Sequence, residues 1–279
     1  MVEITATAVK TLREQTGLPM MDCKRALQET GGDVAKAVEW LRKQGKKVAE
    51  KRAGRSTTCG RIAVYADLAA GAGAMIDLRC ESAPVANNEQ FVALANDLAR
   101  QLALGPGAAT PEELLAQPSP SLAGRTLAQQ FDDLNNRIRE TFKLERIIRL
   151  SGPCAGYAHH NGAVGVLVEV EHGVAELARD VCMHIAAMRP TVVGKEDLDP
   201  AAIAKEREIL ASAARAEGKP EKIIEKMVEG RLKDFFAERC LLEQPHANQA
   251  KYDGKPVGQL VREVGMNIVR FVHWELPKE

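Results

Sequence analysis

No Cys-x-x-Cys pair occurs among the six cysteines of this 279-residue chain, Cys23, Cys59, Cys80, Cys154, Cys182 and Cys240, which excludes a zinc ribbon and a thioredoxin-type redox motif. They read as reduced, mostly buried small hydrophobes. The six histidines offer no helix-spaced metal pair, and adjacent His159 and His160 are expected on opposite faces of a strand, so no metal is expected. Net charge is absent as well: 38 basic and 38 acidic residues cancel, removing the long-range positive field that draws proteins to phosphate backbones or anionic lipid. Direct nucleic-acid binding and membrane association are therefore not expected. No apolar run approaches the roughly 20 residues a membrane helix needs, and "MVEITATAVK" has neither a signal peptide's apolar block nor a transit peptide's arginines. The expectation is a soluble, cytoplasmic protein.

Catalytic signatures are missing too. The Gly-Lys pairs at Gly45, Gly194, Gly218 and Gly254 lack the following Ser/Thr and the earlier glycine of a phosphate loop, "GAGAMI" lacks the third glycine of a dinucleotide fingerprint, and no Gly-x-Ser-x-Gly elbow occurs. Cys80 and His159 are the remaining candidates for a thiol-imidazole pair, but nothing in their spacing requires one. No cofactor and no small-molecule substrate is implied, and the chain reads as a binding protein.

What is present divides the chain into three parts, 1–53, 54–151 and 152–279. The first reads as a three-helix module of the kind that serves recognition. Val9 and Leu12 stripe its first helix, which Gly17 ends; a short helix from about Met21 stops at Gly31-Gly32; Asp33 caps a third helix whose stripe is Val34, Ala37, Val38 and Leu41. Gly45 is expected to end that helix, and Asp22 to cap the second. "KKVAEKRAGR", with five bases against one acid, reads as a solvated extension or linker.

The rest contains an internal repeat. "GRIAVYADL" and "AMIDLRCE" are β-rich and precede "LANDLARQLA"; "GAVGVLVEVE" precedes "LARDVCMHIA". Phe91, Leu94, Leu98 and Leu102 form one apolar helix face, and Val174, Leu177, Val181, Ile185 and Met188 the other. The implied fold is α+β: the three-helix module, then two related subdomains, each a small antiparallel sheet backed by helices. "GPGAATPEELLAQPSPSLAG" between them is loop with a short helical turn, and Leu127, Phe131, Leu134 and Ile138 stripe a further helix. Charged helices from about Pro200 to Ala216 and Pro220 to Arg239, joined by "EGKP", make a protruding antiparallel hairpin, about 197–240, inserted in the second subdomain. The stretch "PVGQLVREVGMNIVRFVHWEL" supplies a helix and a strand that completes the second sheet.

"LREQTGLPMMDCKRALQETGGDVAKAVEWLRKQG" resembles the amino-terminal module of elongation factor Ts, the guanine-nucleotide exchange factor of elongation factor Tu. The pattern "CKRALQETGGDVAKAVEWL" also fits ubiquitin-associated domains, which share the three-helix form. "YAHHNGAVGVLVEVE", "MHIAAMRP", "GKPEKIIEKMVEGRLKDFFAE", "LLEQP" and "VGQLVRE" separate the two, resembling successive stations of elongation factor Ts in the right order. The resemblance covers nearly the whole chain. It implies a non-enzymatic factor that binds elongation factor Tu and promotes GDP release so that GTP can rebind, without cofactor. It also implies that Arg13, Met20, Met21, Tyr157 and His159 touch the partner, the methionine pair as an adaptable apolar contact for a partner helix. Cys23 and Leu27 are expected in the core of the module.

One departure bears on mechanism. Where the family has Thr-Asp-Phe-Val-Ala, in a loop credited with disturbing the partner's magnesium site, this chain has Ser82, Ala83, Pro84, Val85 and Ala86. The acid and the aromatic wedge are both missing, and Pro84 presents less apolar bulk than phenylalanine. As a bland alternative, the loop is an inert connection in which Pro84 merely ends the strand. Tyr157 and His159 match the family's Tyr-x-His, whereas His160 and Ala163 stand where Gly and Arg are usual. Three function classes follow in order: exchange factor, related binding protein with weakened exchange, and an enzyme using Cys80 or His159.

Overall fold

The computed structural model describes residues 4–218 and 220–277. Three helices open the chain, α1 (Ala6–Thr16), α2 (Met20–Glu29) and α3 (Val34–Arg52). The Thr5 hydroxyl caps α1 by accepting from the Ala8 amide at 3.2 Å. Gly17 ends it at φ 68°, a left-handed conformation that costs a side-chain-bearing residue about 1–2 kcal/mol. Asp33 caps α3 by accepting from the Lys36 amide at 3.0 Å, as its position implies. The helices close on Leu12, Cys23, Ala26, Leu27, Ala37 and Leu41, so Cys23 and Leu27 are core.

Two local expectations fail here. Helix α3 does not stop at Gly45 but runs seven residues further, to Arg52. Gly45 instead lets α3 lie close on a later helix, because a Cβ there would collide with the Asn136 side chain. Tertiary packing thus outweighs the roughly 1 kcal/mol that a mid-helix glycine costs. Asp22 does not cap α2 either: the cap position is Pro19, and Asp22 lies in the first turn, where its carboxylate pairs with Arg139 Nη2 at 2.5 Å. A carboxylate there also faces the positive end of the helix dipole.

The remaining chain forms two three-stranded antiparallel sheets. Strands β1 (Cys59–Asp67), β2 (Ala72–Cys80) and β3 (Lys143–Leu150) make the first, in that order. Between β2 and β3 come the one-turn α4 (Ala83–Ala86), the long α5 (Glu89–Leu104), the short α6 (Pro111–Leu115) and α7 (Leu127–Ile138). Strands β4 (Cys154–Ala158) and β5 (Val164–Glu171) start the second sheet, followed by α8 (Ala175–Met188). The hairpin helices α9 (Pro200–Ala216) and α10 (Glu221–Arg239), α11 (Gln249–Tyr252) and α12 (Val257–Glu263) precede β6 (Asn267–Glu275), which completes that sheet against β5. The α+β class, the repeat and the hairpin all stand; β3, "KLERIIRL", had no sequence expectation.

Period-2 alternation explains how the halves join. Ala74, Ile76, Leu78 and Cys80 of β2 face α5 with Phe91, Leu94, Leu98 and Leu102. Val166, Val168 and Val170 of β5 face α8 with Leu177, Val181 and Ile185. The opposite faces of the two sheets pack on each other, giving a helix–sheet–sheet–helix sandwich in which both central strands are buried on two sides. The approach is close: a Cβ at Gly73 would stand 2.6 Å from Cys154 Cβ. Between the sheets Arg79 donates to both carboxylate oxygens of Asp77, Nη2 at 2.7 Å, and Arg146 donates to the same carboxylate at 3.0 Å. Arg146 in turn lies over the Trp274 ring at 4.3 Å, which ties β6 to the first sheet.

Val174 and Met188, expected on the apolar face of α8, are 42% and 45% exposed and sit at its two ends, the cap position and the last residue. The hairpin packs on itself through Ala214, Ile224, Val228 and Leu232. Its root is fixed by backbone bonds from Thr191 N to Arg239 O at 2.8 Å and from Leu241 N to Val192 O at 3.0 Å.

Candidate functional site

Met20 and Met21 begin α2 with 52% and 68% of their surface exposed, while Cys23, one turn on, is fully buried. Cys23, Ala26 and Leu27 take the inward face of α2 at i, i+3, i+4, so Met21 points away from it, while Met20, one turn before Cys23, is exposed as the first residue of the helix. Two adjacent thioethers in water have no packing duty here, so the pair is free to serve as contact surface. Arg13 is exposed in the last turn of α1.

Ser82–Ala86 form the turn α4 and its entry. Ala83 and Pro84 are exposed, Val85 is half-buried and Ala86 is buried, so the small side chains at 83 and 84 are the ones presented outward. Pro84 does not end the strand: β2 stops at Cys80, and Pro84 sits inside the first turn of α4, where its missing amide loses nothing. The entry is held from outside. Glu140 accepts from the amides of Glu81 and Ser82 at 3.1 and 3.0 Å and from the Ser82 hydroxyl at 2.5 Å. The Glu81 carboxylate accepts from the Thr141 amide at 2.7 Å and from Arg55 Nη1 at 3.2 Å, contacts that outweigh partial desolvation and hold its carboxyl below the usual range.

Tyr157 and His159 meet at the end of β4, with the tyrosine hydroxyl 2.7 Å from His159 Nδ1. His159 and His160 do not lie on opposite faces of a strand: both follow Ala158, where β4 ends, in the turn to β5, and their ring centroids are 4.2 Å apart. The turn is pinned to the first sheet by Ile62 N donating to Gly162 O at 2.8 Å. The structure thus joins the methionine turn to the Ser82 loop through one segment, Arg139–Thr141, and joins Tyr157 to His159. Nothing in the sequence pointed to Arg139, Glu140 or Thr141, whose partners lie 58 to 117 residues away.

Covalent chemistry finds little support in these groups. Burial, then the charge of Glu140, pushes the Cys80 thiol up to about 12, and its hydrogen points at Ser82 O, 3.3 Å away. Burial likewise pushes Cys154 up to about 11, with Glu169 adding to it. A protonated thiol is a poor nucleophile and a poor ligand. Among the described residues there is no group of three or more His, Cys, Asp or Glu side chains arranged to hold a metal, and no helix long and apolar enough to cross a membrane. An open cleft of about 520 Å3 between the three-helix module and α7 is lined by Arg42, Arg125 and Arg137, but Asp133 already pairs with two of them, Arg42 at 3.4 Å and Arg125 at 2.7 Å.

The family model described as Elongation factor TS matches residues 81–278. The chain is 43% identical over 278 residues to Elongation factor Ts of Methylococcus capsulatus, covering 99% of this chain and 92% of that protein. It is 40% identical over 276 residues to Elongation factor Ts of Thioalkalivibrio sulfidiphilus, with 98% and 92% covered, and 41% identical over 285 residues to that of Aquifex aeolicus, with 96% of each covered. The class is that of a protein-biosynthesis factor acting in translation elongation. The chain belongs to the elongation factor Ts family.

Proposed function

We propose that this protein is a cytoplasmic guanine-nucleotide exchange factor: it binds elongation factor Tu in its GDP form and speeds GDP release by contact, with no covalent step. The observation that carries this reading is the likeness to elongation factor Ts across 99% of the chain at 43% identity. The physical logic is linkage. A factor that prefers the nucleotide-free partner must weaken nucleotide binding by the same factor, about 1.4 kcal/mol for each tenfold.

The chain offers four contact elements for this. Met20 and Met21, with Arg13 nearby in sequence, supply an adaptable apolar anchor. Ser82–Ala86 approaches the magnesium side of the partner's nucleotide site, with reduced leverage because Ala83 has no carboxylate and Pro84 only a small ring. Tyr157 and His159 act from the second half, and the hairpin reaches another part of the partner. Residues 1–53, 54–151 and 152–279 are the corresponding functional units. The weakened-exchange reading has only the Ala83-Pro84 departure behind it and ranks second.

Rapid mixing with elongation factor Tu carrying fluorescent GDP tests the proposal. Catalytic amounts of the factor should accelerate release, and the factor alone should neither bind nor hydrolyse nucleotide. Unchanged release at a saturating concentration of the factor sinks it.

A further inference from the structure

Three consecutive residues after α7 touch both elements proposed to face the partner from the first half of the chain. Arg139, in the left-handed conformation at φ 65°, turns the chain so that successive residues point to different neighbours. Its guanidinium pairs with Asp22, the residue after Met21, and its carbonyl accepts from Arg52 at 2.6 Å. Glu140 makes three bonds to Glu81 and Ser82, at 3.1, 3.0 and 2.5 Å. Thr141 donates its amide to Glu81 and its hydroxyl to Arg52 O, at 2.7 and 3.1 Å.

Resting on the exchange reading, we infer that Glu140 is a positioning residue for nucleotide release: it fixes Ser82–Ala86 relative to the Met20–Met21 turn so that both meet the partner in one geometry. Ser82 shows why an outside group is required. Its hydroxyl makes no cap bond to α4, although serine at that position ordinarily caps its own helix; it donates to Glu140 instead. The Glu140 carboxylate therefore does what the local sequence does not, holding two consecutive backbone amides and a hydroxyl at the exit of β2. A loop whose side chains are as small as Ala83 and Pro84 cannot recover misplacement through reach. The orientation of this short turn therefore decides what it contributes.

Two variants and two readouts separate positioning from mere stability. E140A removes all three acceptor contacts. E140Q keeps them: the amide oxygen can take both backbone N–H groups, and the amide nitrogen can donate to the Ser82 hydroxyl, which then accepts. With elongation factor Tu carrying fluorescent GDP, E140A should lower the release rate at saturating factor about tenfold while moving the half-saturating concentration less than about threefold, and E140Q should stay within about twofold of the parent in both. Amide hydrogen exchange of the free factor should quicken at residues 81–86 in E140A and stay unchanged across β1, β2 and β3. A saturating rate for E140A within twofold of an active parent overturns the inference, as does loss of protection throughout the first sheet, which assigns Glu140 to stability. A parent that fails to accelerate release overturns the exchange reading itself, a result distinct from either.

Discussion

Helix α5 covers the first sheet with Phe91, Leu94, Leu98 and Leu102, none of them exposed, whereas α8 in the same place on the second sheet buries Asp180 and His184 beside Leu177, Val181 and Ile185. The first core is apolar and aromatic: Phe142 stands edge-on to Phe91 and Phe131, at 5.0 and 5.8 Å between centroids. The second is bordered by a polar network. Asp180 accepts from Lys251 Nζ and the Tyr252 hydroxyl, both at 2.6 Å. His184 Nδ1 accepts from the Ala247 amide at 3.0 Å, which leaves Nε2 to carry the proton and donate to Gln244 at 2.9 Å. One backbone plan, used twice, thus has two kinds of cohesion on the helix side of its sheet: apolar area in the first half, and in the second also hydrogen bonds that recapture the chain as it returns from the hairpin. The halves should therefore fail under different insults.

The largest expected effect is on the aromatic half. Phe91→Ala opens a cavity under β2 and should cost about 3–5 kcal/mol of unfolding free energy, measured by urea denaturation; a loss under about 1 kcal/mol would deny that this core is close-packed. Acid should distinguish the other half. Burial holds His184 down to about 4 from an ordinary value of 6.5, and its neighbour His246 is lowered for the same reason. The unfolded chain then binds a proton that the folded chain refuses, so the stabilisation is complete above pH 6.5 and is lost as the pH falls toward 4. For His184 this amounts to about 3 kcal/mol. His184→Gln, which keeps a donor and an acceptor, should flatten that part of the pH–stability curve; identical slopes in parent and variant would sink the assignment.

Smaller effects concern the partner. Replacing Met20 and Met21 together by alanine should weaken the complex with nucleotide-free elongation factor Tu by about 1–3 kcal/mol, read by titration calorimetry, and leave the melting temperature unchanged because both side chains are exposed. Unfolding at a much lower temperature with binding intact would contradict that placement. Smallest is the loop: A83D combined with P84F should quicken GDP release about tenfold, or 1.4 kcal/mol of barrier, from an elongation factor Tu whose own factor carries Asp-Phe. No gain despite intact binding would shift the work of exchange to the second half and the three-helix module.

Much of the architecture was legible because it is written in local signals. Gly17, Asp33 and the Gly31-Gly32 pair punctuate helices by their own backbone chemistry, the repeated Leu-Ala-x-Asp helices carry their period openly, and Pro200 marks the start of a hairpin arm. What escaped depends on residues far apart in the chain. Strand β3, Lys-Leu-Glu-Arg-Ile-Ile-Arg-Leu, has no clean alternation, and Arg146 is intelligible there only with the Asp77 carboxylate and the Trp274 ring in place. Gly45 looks like a stop until Asn136 is seen against it. Asp22 looks like a cap until Arg139, 117 residues away, takes its charge. Of the candidate contacts, Met20 and Met21 came from the family resemblance and not from helical phase, which sets Met20 one turn before Cys23; Glu140 did not announce itself, since a carboxylate after a helix is ordinarily just a solvated surface group.

Strand β6 is the last element among the described residues, and it pairs with β5 across a separation of 96 residues at Asn267 and Glu171. During synthesis the first sheet has all three of its strands once Leu150 has emerged, and domains generally fold from the amino terminus as they appear. The second sheet must wait for Asn267–Glu275, holding β4 and β5 as an unfinished ribbon with a bare edge while the hairpin, whose contacts are local, forms ahead of it. The edge that stays open until then is that of β5, Val164–Glu171, the strand that becomes the buried centre of the finished sheet.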